Sequence, residues 1–125
     1  MDPLDYLLGL LGYNSDTELV NNIDQNIEFF LQTAVETRLV LTVPAYEMCQ
    51  IQMRTFFQVQ FPKAVVLKVN GATKKSYIPI DFVKKKKFEF AMGNDGQLII
   101  NETPRWKTPV SSYSGYIYLY SLFFS

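Results

Sequence analysis

The chain has 125 residues, 48% of them hydrophobic and 19% charged, with ten Phe, eight Tyr, one Cys and no His: one folded, aromatic-rich domain with a modest core. The lack of His excludes a serine-type triad, an imidazole-held zinc site and a histidine pH switch, and a lone Cys49 excludes an internal disulfide or thiolate cage. The net charge of zero joins two opposite parts, since residues 1–37 carry seven acids and no base whereas residues 38–125 carry twelve bases and five acids; either the acidic part packs on the basic part or each faces a different neighbour.

Asp2 before Pro3 is a helix-opening pair, and Leu4, Leu7, Leu8 and Leu11 recur at helical spacing up to Gly12, which predicts a short amphipathic helix over Pro3 to Leu11. Its apolar centre lacks a basic leader and is far shorter than a membrane span, so neither a signal peptide nor a transmembrane segment is expected. Ser15-Asp16-Thr17-Glu18 has the form of a capping box. Leu19, Val20, Ile23, Ile27, Phe30, Leu31, Ala34 and Val35 then follow a 3.6-residue period, predicting a second helix over residues 16–36.

The period changes to two after Glu36. Leu39, Leu41 and Val43 read as a strand stopped by Pro44. Residues 47–55 fit either a helical turn or a strand, and the strand is preferred. Phe57, Val59 and Phe61 predict one strand and Val65, Leu67 and Val69 another. Asn70-Gly71 is a tight turn, and Tyr77-Ile78-Pro79-Ile80 reads as an edge strand because Pro79 has no amide to donate. Phe88, Phe90 and Met92 form a hairpin with Leu98 to Ile100 around Gly93-Asn94-Asp95-Gly96. Thr103 to Ser114 reads as a contact-bearing loop, and Gly115 opens a last strand that is apolar on both faces. These elements predict a mainly β, single β-sandwich, jelly-roll-like domain over residues 38–125, preceded by an acidic helical arm over residues 1–37.

Few residues point to chemistry. Lys84, Lys85, Lys86 and Lys87 read as a solvated turn that deters aggregation, with contact to single-stranded nucleic acid through the four lysines and Phe82, Phe88 and Phe90 as the alternative. Gly93 to Gly96 lacks the closing Glu of a calcium loop. Cys49 has no base to activate it. The acids outside the arm, Glu47, Asp81, Glu89, Asp95 and Glu102, show no preferred pair for glycoside chemistry. Trp106 with Tyr116, Tyr118 and Tyr120 suits a protein interface better than a sugar platform. A non-enzyme without cofactor or metal is therefore expected. Leu4, Leu7, Leu8, Leu11, Trp106, Tyr116, Tyr118, Tyr120, Phe123 and Phe124 are the candidate interface residues, because a chain of this length has limited core to cover them.

The succession Arg54 to Phe61, Ala64 to Gly71, Gly96 to Asn101 and Gly115 to Tyr120 resembles small phage virion proteins of the single jelly-roll vertex (penton) type, over residues 54–122. Leu11-Gly12-Tyr13-Asn14-Ser15-Asp16-Thr17-Glu18-Leu19 before a long helix is similar instead to the opening of head-to-tail adaptor proteins of tailed phages. Both likenesses imply a structural subunit of a virion, assembled in the host cytoplasm, homo-oligomeric and in contact with other structural proteins of the assembly. Neither brings a functional residue with it.

Overall fold

A computed structural model of the protein describes residues 16–58 and 61–105. Eight strands form two four-stranded sheets. In chain order they are β1 (Asp16–Asn21), β2 (Ile27–Gln32), β3 (Thr37–Val43), β4 (Met48–Gln52), β5 (Ala64–Val69), β6 (Ala72–Tyr77), β7 (Lys85–Met92) and β8 (Leu98–Pro104). One helical turn, α1 (Met53–Phe56), links β4 to β5, and another, α2 (Pro79–Val83), links β6 to β7. The first sheet has the order β4-β1-β7-β8 and the second β3-β2-β5-β6. All neighbours are antiparallel except β1 and β7, which run parallel with Leu19 beside Phe88.

The helix expected over residues 16–36 is replaced by β1, a turn and β2. Two patterns coexist in that segment. Thr17, Leu19 and Asn21, and then Ile27, Phe29 and Leu31, alternate at period two, and all six are fully buried. The polar run Asn21-Asn22-Ile23-Asp24-Gln25-Asn26 breaks the chain between them. A helix would put Phe29 and Phe30 on adjacent, diverging positions, whereas the strand sends Phe29 inward and leaves Phe30 under the Lys68 ammonium, 4.7 Å from its ring centroid. Both strands are interior members of their sheets, so residues 16–37 are part of the sandwich and not of an arm outside it. The helix expected over Pro3 to Leu11 lies outside the described residues.

Other expectations meet the structure more closely. β3, β5, β7 and β8 stand where alternation placed them, and Asn70 and Gly71 have φ of 56° and 79°, the left-handed pair of a two-residue hairpin turn. Residues 47–55 divide, giving strand to Gln52 and a helical turn from Met53. Phe57 is the C-cap of that turn and not a strand residue, because Phe56 and Phe57 both turn into the core. Pro79 opens α2 at its first turn, with Asp81 in that turn, since proline's missing amide costs nothing there. β6 is accordingly the edge strand, ending at Tyr77. Thr103 and Pro104, expected to open a loop, are instead the last residues of β8, paired with Lys87 and Lys85; the rest of that loop beyond Arg105 and the last predicted strand, Gly115 to Phe124, lie outside the described residues.

The core is aromatic and has a centre. Phe82 lies within 6.2 Å, centroid to centroid, of five rings: Phe29, Phe56, Phe57, Tyr77 and Phe88. With Phe56 and Phe88 it is stacked; the others meet it edge-on, the two arrangements that ring quadrupoles favour. Leu19, Ile27, Leu31, Val65 and Leu67 pack around this cluster from both sheets. Asn21 and Thr17 are the fully buried polar residues among those described, and Asn21 is the more heavily bonded. Its side-chain amide donates to the carbonyls of Gln25, Val43 and Pro44 at 2.9–3.0 Å, and its Oδ1 accepts the Ile23 amide at 3.0 Å, which satisfies it and ties the β1–β2 turn to the β3–β4 connection.

Candidate functional site

Sheets that do not close have edges, and here the edges pair up to give the sandwich two open sides. One lies between β6 and β8 and is crossed by α2; the other lies between β3 and β4 and is crossed by α1. The two sides differ in chemistry.

The β6/β8 side holds a cleft of about 540 Å3 lined by Lys75, Tyr77, Asp81, Lys84, Lys85 and Glu102, among others. Glu102 on β8 is its hub. The Tyr77 hydroxyl donates to Glu102 Oε2 at 2.5 Å, Lys75 Nζ lies 3.7 Å from the same oxygen and Lys85 Nζ 3.6 Å from Oε1. Lys75 also sits over the Tyr77 ring, 5.0 Å from its centroid. Burial above all, then the hydrogen bond to Glu102 and its negative charge, push the Tyr77 phenol far above its usual range, so the hydroxyl stays a donor. Lys84 lies 3.9 Å from Asp81; burial lowers its pKa more than Asp81 raises it, with Lys85 adding to the lowering. The cluster is thus a cross-sheet clamp in which each named charge has an opposite charge beside it.

The β3/β4 side holds a smaller groove of about 270 Å3, lined by Arg38, Leu39, Val40, Ile51, Thr55 and Phe56, with Gln58 at its end. Val40 and Ile51 pack on the core from the edges, while Leu39 is 46% exposed. Val35, in the turn between β2 and β3, and Met48, on β4, are also exposed. Arg38 pairs with Glu36 at 2.8 Å. Among the described residues no charge cluster like that at Glu102 bridges this side.

The lysine run does not form one surface. Lys84 caps α2, Lys85 faces the Glu102 clamp, and Lys87 pairs with Glu18 at 4.0 Å and Glu89 at 3.4 Å on the outer face of the first sheet. Lys86 alone of the four is in the exposed class. Glu18 with Lys87, and Glu36 with Arg38, show the acidic first part of the chain interleaved with the basic remainder. Of the five acids considered for paired chemistry, Asp81 and Glu102 meet in the β6/β8 cleft, each beside lysines. Tyr77 and Lys75 escaped the sequence reading because their link to Glu102 crosses sheets at 25 residues' separation or more; the available signal was an acid two residues beyond the apolar run Leu98 to Ile100. Among the described residues no group of His, Cys, Asp and Glu gathers where it can hold a metal ion, and no helix is long and apolar enough to cross a membrane. Leu4, Leu7, Leu8, Leu11, Trp106, Tyr116, Tyr118, Tyr120, Phe123 and Phe124 lie outside the described residues.

The described residues next to those segments are joined by Arg105. Arg105, at the end of β8, donates from Nη1 to the Asp16 carbonyl at 3.3 Å and from Nη2 to Thr17 Oγ1 at 2.6 Å and the Lys85 carbonyl at 3.1 Å. Its own amide donates to the Lys84 carbonyl at 2.8 Å. The guanidinium therefore reaches from β8 past β7 to the first residues of β1, and Asp16 and Arg105 lie at the same end of the first sheet, their strands about two strand spacings or ~10 Å apart. In comparison with known proteins the chain matches no family model, no curated protein and no solved structure.

Proposed function

We propose that the protein is a non-catalytic structural subunit that makes protein–protein contacts in a homo-oligomeric assembly, specifically a virion vertex. The observation that supports this reading is that Asp16 and Arg105, joined by a hydrogen bond, lie together at one end of the first sheet, next in sequence to a leucine-rich and an aromatic-rich stretch of the chain. Residues 1–15 contain five Leu and two Tyr, and residues 106–125 contain Trp106, four Tyr, two Phe and a single charged residue, Lys107. Two such apolar stretches attached to a charge-decorated sandwich supply contact-forming side chains, and aromatic residues are what buried interface centres are built from. The likeness to a jelly roll rests on the two stacked four-stranded sheets, and the parallel β1–β7 pair is where this chain departs from a wholly antiparallel roll.

The reading is tested by sedimentation of the full chain over a range of concentrations. A defined homo-oligomer is expected, reduced to monomer in Tyr118→Asp with Tyr120→Asp while the far-ultraviolet circular dichroism keeps its β form. A monomer at all concentrations, together with oligonucleotide binding that falls steeply with salt and is lost when Lys84 to Lys87 are replaced by Ser, would overturn it in favour of nucleic-acid binding. The lysine run is divided, Lys84 and Lys85 lining the β6/β8 cleft and Lys87 paired with Glu18 and Glu89, which ranks nucleic-acid binding second.

A further inference from the structure

We infer that the outer edge of β4 is where two copies of this chain pair, antiparallel and about a twofold axis at Gln50. The inference rests on the homo-oligomer reading and names one of its contacts. It begins with a difference among the four sheet edges. β6 carries Lys74 and Lys75, with a bulge at Lys74. β3 carries Arg38 and a bulge at Val40. β8 carries Glu102 and ends on Pro104. Charges, bulges and proline are the devices that keep an edge from pairing further. β4 has none of them: Met48, Cys49, Gln50, Ile51 and Gln52 are uncharged, and their register with β1 is unbroken.

The backbone fixes which groups this edge offers. The Asn21 amide donates to the Glu47 carbonyl at 2.9 Å, so Glu47, one position before the strand, faces β1. Main-chain polar groups alternate in direction along an antiparallel strand. Cys49 and Ile51 therefore also turn theirs toward β1, while Met48 and Gln50 turn their amides and carbonyls to the open side, where no strand meets them among the described residues. A second β4 supplies matching groups. With Gln50 opposite its own copy, the two exchange a pair of hydrogen bonds, and each Met48 comes opposite the other copy's Gln52.

Side chains favour a second copy as the occupant. Met48, Gln50 and Gln52 are exposed and uncharged, so self-pairing sets no like charges opposite each other, as it would on lysine-bearing β6. Glu47 and Arg54 flank the strand at opposite ends; both are exposed, and neither has an ion-pair partner among the described residues. Antiparallel pairing about Gln50 brings each Glu47 level with the other copy's Met53 and next to its Arg54, twice by symmetry. A standard interface takes about 20–30 residues a side, so this contact is weak alone and takes hold when other surfaces of the assembly keep the copies together.

Thiol cross-linking of the full chain tests the pairing. In a Cys49→Ser background Gln50→Cys leaves one thiol, so any covalent dimer joins position 50 to position 50. A short bis-methanethiosulfonate is expected to give at least tenfold more dimer from this variant than from Thr73→Cys, on the β6 edge, in the same background, since hydrogen-bonded pairs of antiparallel strands stand ~5.5 Å apart. Equal yields would overturn the proposal by leaving only random collision, and an unlinked Gln50→Cys would overturn it by giving the edge to another strand or to none. Charge exchange at the same exposed position supplies a second readout. Gln50→Lys is expected to weaken self-association about tenfold in sedimentation, with β-type circular dichroism retained, and an equimolar mixture with Gln50→Glu to restore it. Undiminished association of Gln50→Lys, or a mixture no stronger than its parts, would overturn the pairing. Failure in a chain that still sediments as an oligomer leaves the assembly reading standing with its contacts elsewhere, whereas a chain monomeric at all concentrations and unlinked at position 50 removes both.

Discussion

The β6/β8 and β3/β4 sides of the sandwich begin from the same problem and reach different ends. Each is the gap between two edge strands, each is crossed by one helical turn, and each turn sends a phenylalanine to the centre, Phe82 from α2 and Phe56 from α1, where the two rings stack at 5.3 Å. At the β6/β8 side the rim is charged and self-satisfying: Tyr77, Lys75 and Lys85 converge on Glu102. At the β3/β4 side exposed Leu39 sits among Arg38, Thr55 and Gln58, and no charge cluster like that at Glu102 bridges the described residues. Shared packing thus fixes how the sandwich closes at depth, while rim chemistry decides whether a side is finished or still receptive. An edge bristling with lysines resists further pairing; one with exposed leucine and methionine invites it.

The largest expected effect comes from removing what the two sides share. Phe82→Ala should lower stability by about 3–5 kcal/mol, because it opens a cavity among five rings, and urea unfolding will show both sides lost in one transition. Two separate transitions would mean that the sides are independent units.

A smaller change should touch the clamped side alone. Tyr77→Phe keeps the ring and removes the hydrogen bond to Glu102, for an expected loss of about 1 kcal/mol at neutral pH. The pH dependence has a definite sign. A phenol whose folded pKa is raised holds its proton in the folded state after the unfolded chain has released it, so this contribution is fully present below the unfolded value of about 10 and is lost as pH rises above it. Denaturation followed between pH 9 and 11 should show the wild type losing stability more steeply than Tyr77→Phe. Lys84 acts in the opposite direction, since a lysine whose pKa is lowered by burial is relieved as pH climbs toward the unfolded lysine range. The smallest effect belongs to Lys86→Ser, expected within about 0.5 kcal/mol of wild type because this exposed side chain makes no ion pair among the described residues.

How much of this was readable beforehand varies element by element. Alternation of Leu39 to Val43, Val65 to Val69 and Phe88 to Met92 marked strands because each presents one face to a core and the other to water or a neighbouring charge. Asn70-Gly71 and Gly93 to Gly96 marked turns because their backbone conformations suit few other residues. Residues 16–36 misled, since Leu19, Ile23, Ile27, Phe30 and Leu31 satisfy a helical period while Leu19, Ile27, Phe29 and Leu31 also satisfy a strand arrangement. Local pattern supports both, and only the burial of Phe29 against Phe56, Phe82 and Phe90 distinguishes them.

By itself, then, the sequence determined a mainly β sandwich with most of its turns, an aromatic core and two apolar terminal segments, because periodicity, glycine conformations and composition are local properties of the chain. Tertiary structure alone decided that residues 16–32 are interior strands, that β1 runs parallel to β7, that the four lysines part company, and that Glu102 gathers Tyr77, Lys75 and Lys85. Each of these depends on which strands become neighbours across long separations, and that choice is made by how the inward faces of eight strands jointly fill one core, a quantity no short window of sequence contains.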